Sequence, residues 1–174
     1  ASNGDIDFIA EPVNALNVPA GPKVFRTIFN GFHHFTPAQA QQILQDAVKN
    51  RAPIGIFEPI DKSPMQLLVN AVALTVLMLL VMPFVRPFRW EKIVFTYLLP
   101  LIPLCTLWDG IVSVIRLYRP NELLYMARQA DAKGYHWQAG KASHTFGKVI
   151  YLIGLPVTRA EQTTERQSRK SLPL

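Results

Sequence analysis

The sequence predicts an α/β fold: a partial sheet of parallel strands, closed by a terminal antiparallel hairpin and interrupted by an apolar helical hairpin. Three observations predict it. The segments "KVFRTIFNGF", "TPAQAQQILQDAVKN" and "APIGIFEP" read in succession as strand, crossover helix and strand, the order that pairs strands in parallel within a covered sheet. The chain then carries two uncharged runs, Leu67 to Val85 and Ile93 to Trp108. Near its end, "YHWQAGKAS" and "KVIYLIGLP" read as two strands joined around "HTFG".

Ile6 to Ile9, in "DIDFIAEPV", alternate as a short strand does, and Pro12 with "NVPAGP" supplies loop chemistry after it. The next run is rich in Val, Phe and Ile and ends at Gly31, as a mostly buried strand would. Thr36 is a good N-cap and Pro37 a good first helical residue, and Ala40, Ile43, Leu44 and Ala47 fall on one helical face. "APIGIFEP" is a continuous apolar strand stopped by Glu58 and Pro59. In "RPNELLYMARQADAKG", Asn121 is the expected cap, Leu123, Leu124 and Ala127 line one side, and Gly134 ends the helix. From Val157 the chain is polar, charged and short of aromatics, which predicts a disordered basic tail. These signals divide the chain into core segments 1–62 and 119–156, an apolar insert at 63–118, and the tail at 157–174. The chain starts at Ala1 without an initiator Met and soon enters an apolar run, which reads as a fragment or a processed chain.

The run from Leu67 to Val85 has about the length of a bilayer-spanning helix, for which roughly 20 residues are needed. The second run is shorter and broken by Pro100 and Pro103. Between them lies "RPFRWEK", with Phe88 and Trp90 as interface anchors. A crossing from a cytosolic domain would carry Arg86, Arg89 and Lys92 outside, against the positive-inside tendency. The pattern therefore predicts a hairpin that dips into one leaflet and returns. A two-span hairpin with the basic loop outside, and two helices packed on the protein's own core, are the alternatives.

Composition narrows the function classes. The net charge of +6 sits in short clusters rather than on one face, so anionic lipid is the expected counter-charge and nucleic acid is not an expected partner. Cys105, the single cysteine, excludes an intrachain disulfide and a cysteine-built zinc site, and within its apolar run it is expected to be a small buried hydrophobe. His136 and His144 lack partners at metal-ligand spacing, so no metal is expected. No nucleophile elbow, P-loop or paired-carboxylate pattern points to a hydrolase or kinase.

Three motifs, "FRTIFNGFHHF", "IGIFE" and "WDGIVSVIRLY", together with this order of elements, resemble the second half of class I S-adenosylmethionine-dependent methyltransferases, specifically bacterial methyltransferase-like proteins. The resemblance runs from about Ile6 to Pro156. It implies a partial Rossmann-like methyltransferase sheet, with S-adenosylmethionine as cofactor lying across the carboxyl ends of the parallel strands. On this likeness Asn14 and Ala15, in "VNA", stand where the family contacts adenine, and Asn30 and Gly31 where its backbone approaches the cofactor. The family's first strand, glycine-rich turn and ribose-binding acid are expected upstream of Ala1, and no G-x-G-x-x-G occurs in the sequence.

His33 and His34 follow directly, and one of them is a candidate catalytic base, because imidazole exchanges a proton near neutral pH. The alternative is that one ring packs under the helix while the other bonds locally. Glu58 is a further candidate, or a loop cap. Asp109 and Arg116, seven apart, share a helical face and read as a hinge or an ion pair at the lipid boundary. The sequence thus predicts a methyltransferase-like domain on the cytoplasmic face of the inner membrane, with membrane lipid as partner and a lipid or other hydrophobic acceptor. A non-catalytic membrane-anchored module is the alternative.

Overall fold

The computed structural model describes residues 11–19, 24–59, 62–144 and 147–158. The strand expected at Ile6 to Ile9, the centre of the terminal hairpin turn and the tail beyond residue 158 lie outside them. The described chain is mixed α/β, with a four-stranded mixed sheet of order β1-β2-β4-β3. β1 (Arg26–Phe29) pairs in parallel with β2 (Ile54–Glu58), Ile28 opposite Ile56. The terminal hairpin, β3 (Tyr135–His144) and β4 (Gly147–Pro156), inserts its second strand next to β2, antiparallel, with Ile56 opposite Leu152.

The crossover between the parallel strands is α1 (Pro37–Lys49). Thr36 and Gln39 form a reciprocal capping box: the Gln39 amide donates to Thr36 Oγ1 at 3.4 Å and the Thr36 amide to Gln39 Oε1 at 2.9 Å. α5 (Pro120–Ala130) starts two residues earlier than Asn121 as a cap would allow, with Arg119 at the N-cap. Pro120 is already helical, since its fixed φ suits a first turn, and Glu122 Oε2 accepts the Arg119 amide at 2.7 Å. Asn121 lies inside the helix.

α1 and α5 cover the same face of the sheet. Ala40, Ile43 and Leu44 of α1 and Leu123 and Ala127 of α5 close over Ile54, Ile56, Ile150 and Leu152. The opposite face is not covered among the described residues, contrary to the covered sheet that the sequence predicts. There Phe57 stacks on Phe29 at 5.1 Å between ring centres, and Phe29 is 68% exposed. Val157 is not the first residue of a free tail: its amide donates to Gly134 O at 2.9 Å and its carbonyl accepts from Arg51 at the same distance.

Between β2 and α5 the chain leaves the core. α2 (Pro64–Val81) is apolar on all sides and is extended by a 3-10 turn at Met82–Phe84. α3 (Trp90–Ile93) continues through a π-helical turn, Val94–Leu98, and α4 (Leu101–Arg116) returns to the core. The Trp90–Leu98 segment and α4 meet at a 70° bend, at Leu99 and Pro100, because a proline cannot continue the hydrogen-bond ladder. α2 and α4 pack on each other, and Ala71, Thr75, Leu107 and Ile111 line the narrow cleft between them. α2 does not pack on the core, its window Leu67–Phe84 being 0% buried, whereas α4 meets the Phe32–His34 turn near its C-terminal end, where Val114 is buried. α4 presents Cys105 on an uncovered face, so the expected buried hydrophobe is exposed.

Gly154 on β4 lies under the Trp137 ring, and an added Cβ would come within 2.1 Å of it. That ring is held: its Nε1–H donates to Asp131 O at 2.7 Å, and it stacks on Tyr135 at 5.0 Å. Gly154→Ala is expected to cost about 1–3 kcal/mol of stability by overpacking, read from urea unfolding in detergent. The buried Tyr135 hydroxyl donates to Ala47 O at 2.9 Å and Ala52 O at 3.2 Å. Burial pushes its pKa above the ordinary value, against a smaller pull downward from Arg51 and Arg26 and with a small push from Asp131. The fold therefore favours the protonated phenol. This stabilisation is full below pH ~10, the ordinary tyrosine value, and is lost as pH rises through the folded pKa. Alkaline titration of unfolding is expected to show a loss that Tyr135→Phe removes.

Candidate functional site

The site starts where β1 stops. Asn30 takes a left-handed conformation, φ 48°, and its amide donates to Phe57 O at 2.9 Å, so it turns out of the strand while still bonded to β2. Asn tolerates this conformation better than most residues. Gly31 does not use its freedom here: its φ is −151°, and an added Cβ would meet its nearest neighbour at an ordinary 3.6 Å. A single 3-10 turn, Phe32–His34, then leads into Thr36.

Glu58, the last residue of β2, holds that turn. Its side chain is almost fully buried. Oε1 accepts the amides of Phe32 at 2.7 Å and His33 at 3.1 Å, and Oε2 lies 3.0 Å from His33 Nδ1. With the carboxylate as acceptor, the Nδ1–H donates, which fixes the plane of the His33 ring. His33 is buried, His34 is exposed, and their rings lie 4.2 Å apart. One ring is packed and held by Glu58, and the other stands exposed at a rim.

That rim belongs to a cavity of about 950 Å³. The turn supplies His33 and His34, the two ends of the apolar hairpin supply Lys62 and Arg116, and α5 supplies Tyr125. Tyr118 also lines it, fixed by its hydroxyl, which donates to Phe35 O at 2.8 Å, and by an edge-on contact with Phe32 at 5.7 Å. Burial, and then the Glu122 charge, push the Tyr118 pKa above its ordinary value. Lys62 Nζ donates to Leu117 O at 3.1 Å, which ties the outgoing chain to the returning one at the neck of the hairpin. On the same wall Gln41 Oε1 is buried without a hydrogen-bond partner, an acceptor open to a ligand donor or a water.

The expected cofactor residues are not gathered in this cavity. Asn14 closes an Asx turn, its Oδ1 accepting the Leu16 amide at 3.0 Å, and Ala15 packs at the edge of the core. Asn30 and Gly31 adjoin the cavity in sequence but do not line it. Asp109 and Arg116 are exposed and form no ion pair, because seven residues of helix separate them by about 10 Å along the axis. Among the described residues no cluster of His, Cys, Asp or Glu can hold a metal ion.

No protein-family model matches the chain, and no curated protein matches it. The functional reading therefore rests on the residues themselves. Sequence reasoning named His33, His34 and Glu58 but missed that Glu58 holds the turn at Phe32 and His33, and it missed Gln41, Lys62 and Tyr118 as cavity residues. Tyr118 stood in the "WDGIVSVIRLY" motif. Gln41 and Lys62 carried no signal, being ordinary polar residues of a helix and a loop.

Glu58→Ala would leave two buried amides and a ring N–H without an acceptor. We expect it to cost about 3 kcal/mol or more, and Glu58→Gln, which keeps one carbonyl oxygen for the amides, roughly half as much. Urea unfolding of both variants in detergent checks the ordering.

Proposed function

We propose that this chain is a membrane-associated class I methyltransferase-like domain whose cavity receives a lipid or other hydrophobic methyl acceptor, on the cytoplasmic face of the inner membrane. One observation carries the reading: a single cavity is walled on one side by the histidine turn at the carboxyl end of β1 and on the other by the neck of the exposed apolar hairpin. Ligands of open α/β sheets bind at the carboxyl ends of strands, and here that position opens towards the segment most suited to lipid. The parallel pair continued by a terminal antiparallel hairpin and the three motifs support the same reading.

The described residues fit the acceptor side of such a site better than the cofactor side. Asn14 is committed to its turn, Ala15 to the core edge, and no glycine-rich turn is present among them. S-adenosylmethionine, when bound, would supply an electrophilic methyl group. The chain's own contribution is proton handling and positioning. His33, oriented by Glu58, offers Nε2 as a base for an acceptor that must lose a proton. Lys62 and Arg116 add positive charge to the cavity lining.

A second reading, a non-catalytic membrane-anchored module, is favoured by the uncovered sheet face, where exposed Phe25, Phe29 and Leu155 offer an apolar platform to a partner. Calorimetric titration of S-adenosylmethionine into the full-length protein in detergent separates the two. The enzyme reading expects saturable binding that is at least tenfold weaker when Asn30 and Gly31 are both replaced by Trp. Absence of binding by the unaltered protein would overturn it in favour of the anchored module.

A further inference from the structure

We infer that the apolar hairpin crosses the bilayer twice, with Arg86, Arg89 and Lys92 at the far interface and the Trp90–Leu98 segment lying along that interface. This deepens the membrane reading above and rests on it.

Length is the first argument. α2 with its 3-10 extension is 21 residues of continuous helical chain, from Pro64 to Phe84, roughly 33 Å at the usual rises. The hydrocarbon core is about 30 Å thick. The returning limb reaches the same height by another route. α4, of 16 residues, rises about 24 Å, and the Trp90–Leu98 segment, inclined by 70°, adds about 5 Å more. The bend at Pro100 therefore levels the two limbs and turns the segment towards the membrane plane. The Tyr97 hydroxyl donates to Leu79 O and ties the segment to the top of α2. Phe88 and Trp90, edge to face at 5.4 Å and both exposed, stand at that level, where interfacial aromatics are enriched.

Charge decides against the other placements. A hairpin dipping into one leaflet would leave Arg86, Arg89, Glu91 and Lys92 at its deepest point, inside hydrocarbon. Crossing leaves a single charge there, Asp109, near the middle of α4. One intramembrane charge costs less than four. A helix lying flat on the surface needs a polar face, and α2 has none.

The positive-inside tendency no longer opposes the crossing once both flanks of the hairpin are counted. The near side carries Lys62, Arg116 and Arg119 at its roots, with Arg51 and Arg128 within about 15 residues of them in sequence, against the three cations of the tip. The core domain is then on the more positive, cytoplasmic side.

The test uses the full chain in sealed membrane vesicles of both orientations and a membrane-impermeant maleimide. Cys105, the only cysteine, is replaced by Ser, and single cysteines are introduced by Arg89→Cys at the tip and Lys49→Cys on α1. The expected result is labelling of the two positions from opposite faces. Labelling of both from one face, or of the tip only after detergent, overturns the crossing while leaving membrane seating in place. Release of the protein by alkaline carbonate overturns both.

Discussion

The buried carboxylate of Glu58 is the contact on which the rest of the site depends. β1 and β2 are short and parallel, and parallel strands carry no tight turn to fix where one of them ends. Here the end is fixed by a side chain: Glu58, closing β2, gathers two amides and a ring nitrogen from the turn that follows β1. That one carboxylate stops β1, starts the path into α1 and sets the plane of His33. A buried carboxylate needs several donors to offset its lost hydration, and this turn supplies three.

Two apolar populations with different fates divide the chain. Residues spaced to one helical face, as in α1 and α5, close over a single face of the sheet and form its core. Residues apolar on every side, as in α2, find no matching surface within the protein and remain exposed. A helix of uniform hydrophobicity has no solvent face to present, so its stable surroundings are apolar throughout. The cavity lies where the two populations meet, and Lys62 clasps Leu117 at that boundary.

The sheet is unequal in a second way. Its α1/α5 face is tightly packed, while its other face shows Phe25 and Phe57 over Gly55, with Phe29 stacked outside them. Aromatic rings grouped on an open sheet face are a surface for association.

By itself the sequence determined the elements whose signals are local. The Thr36 cap and the helix behind it, the apolar strand ending at Glu58, the break at Pro100 and the terminal hairpin all follow from neighbours a few residues apart. It also marked the stretch Leu67 to Val85 as suited to lipid, since composition alone carries that property. Tertiary structure decided what depends on distant residues. That Glu58 serves the turn rather than the cavity, that Asn14 closes its own loop and that Lys62 meets Leu117 are contacts across 26, 2 and 55 residues, and only the local one, at Asn14, had a signature in turn chemistry. Cys105 was misjudged for the same reason. An apolar neighbourhood in sequence says that a residue avoids water, whereas burial requires a second surface, and the face of α4 that carries Cys105 has none.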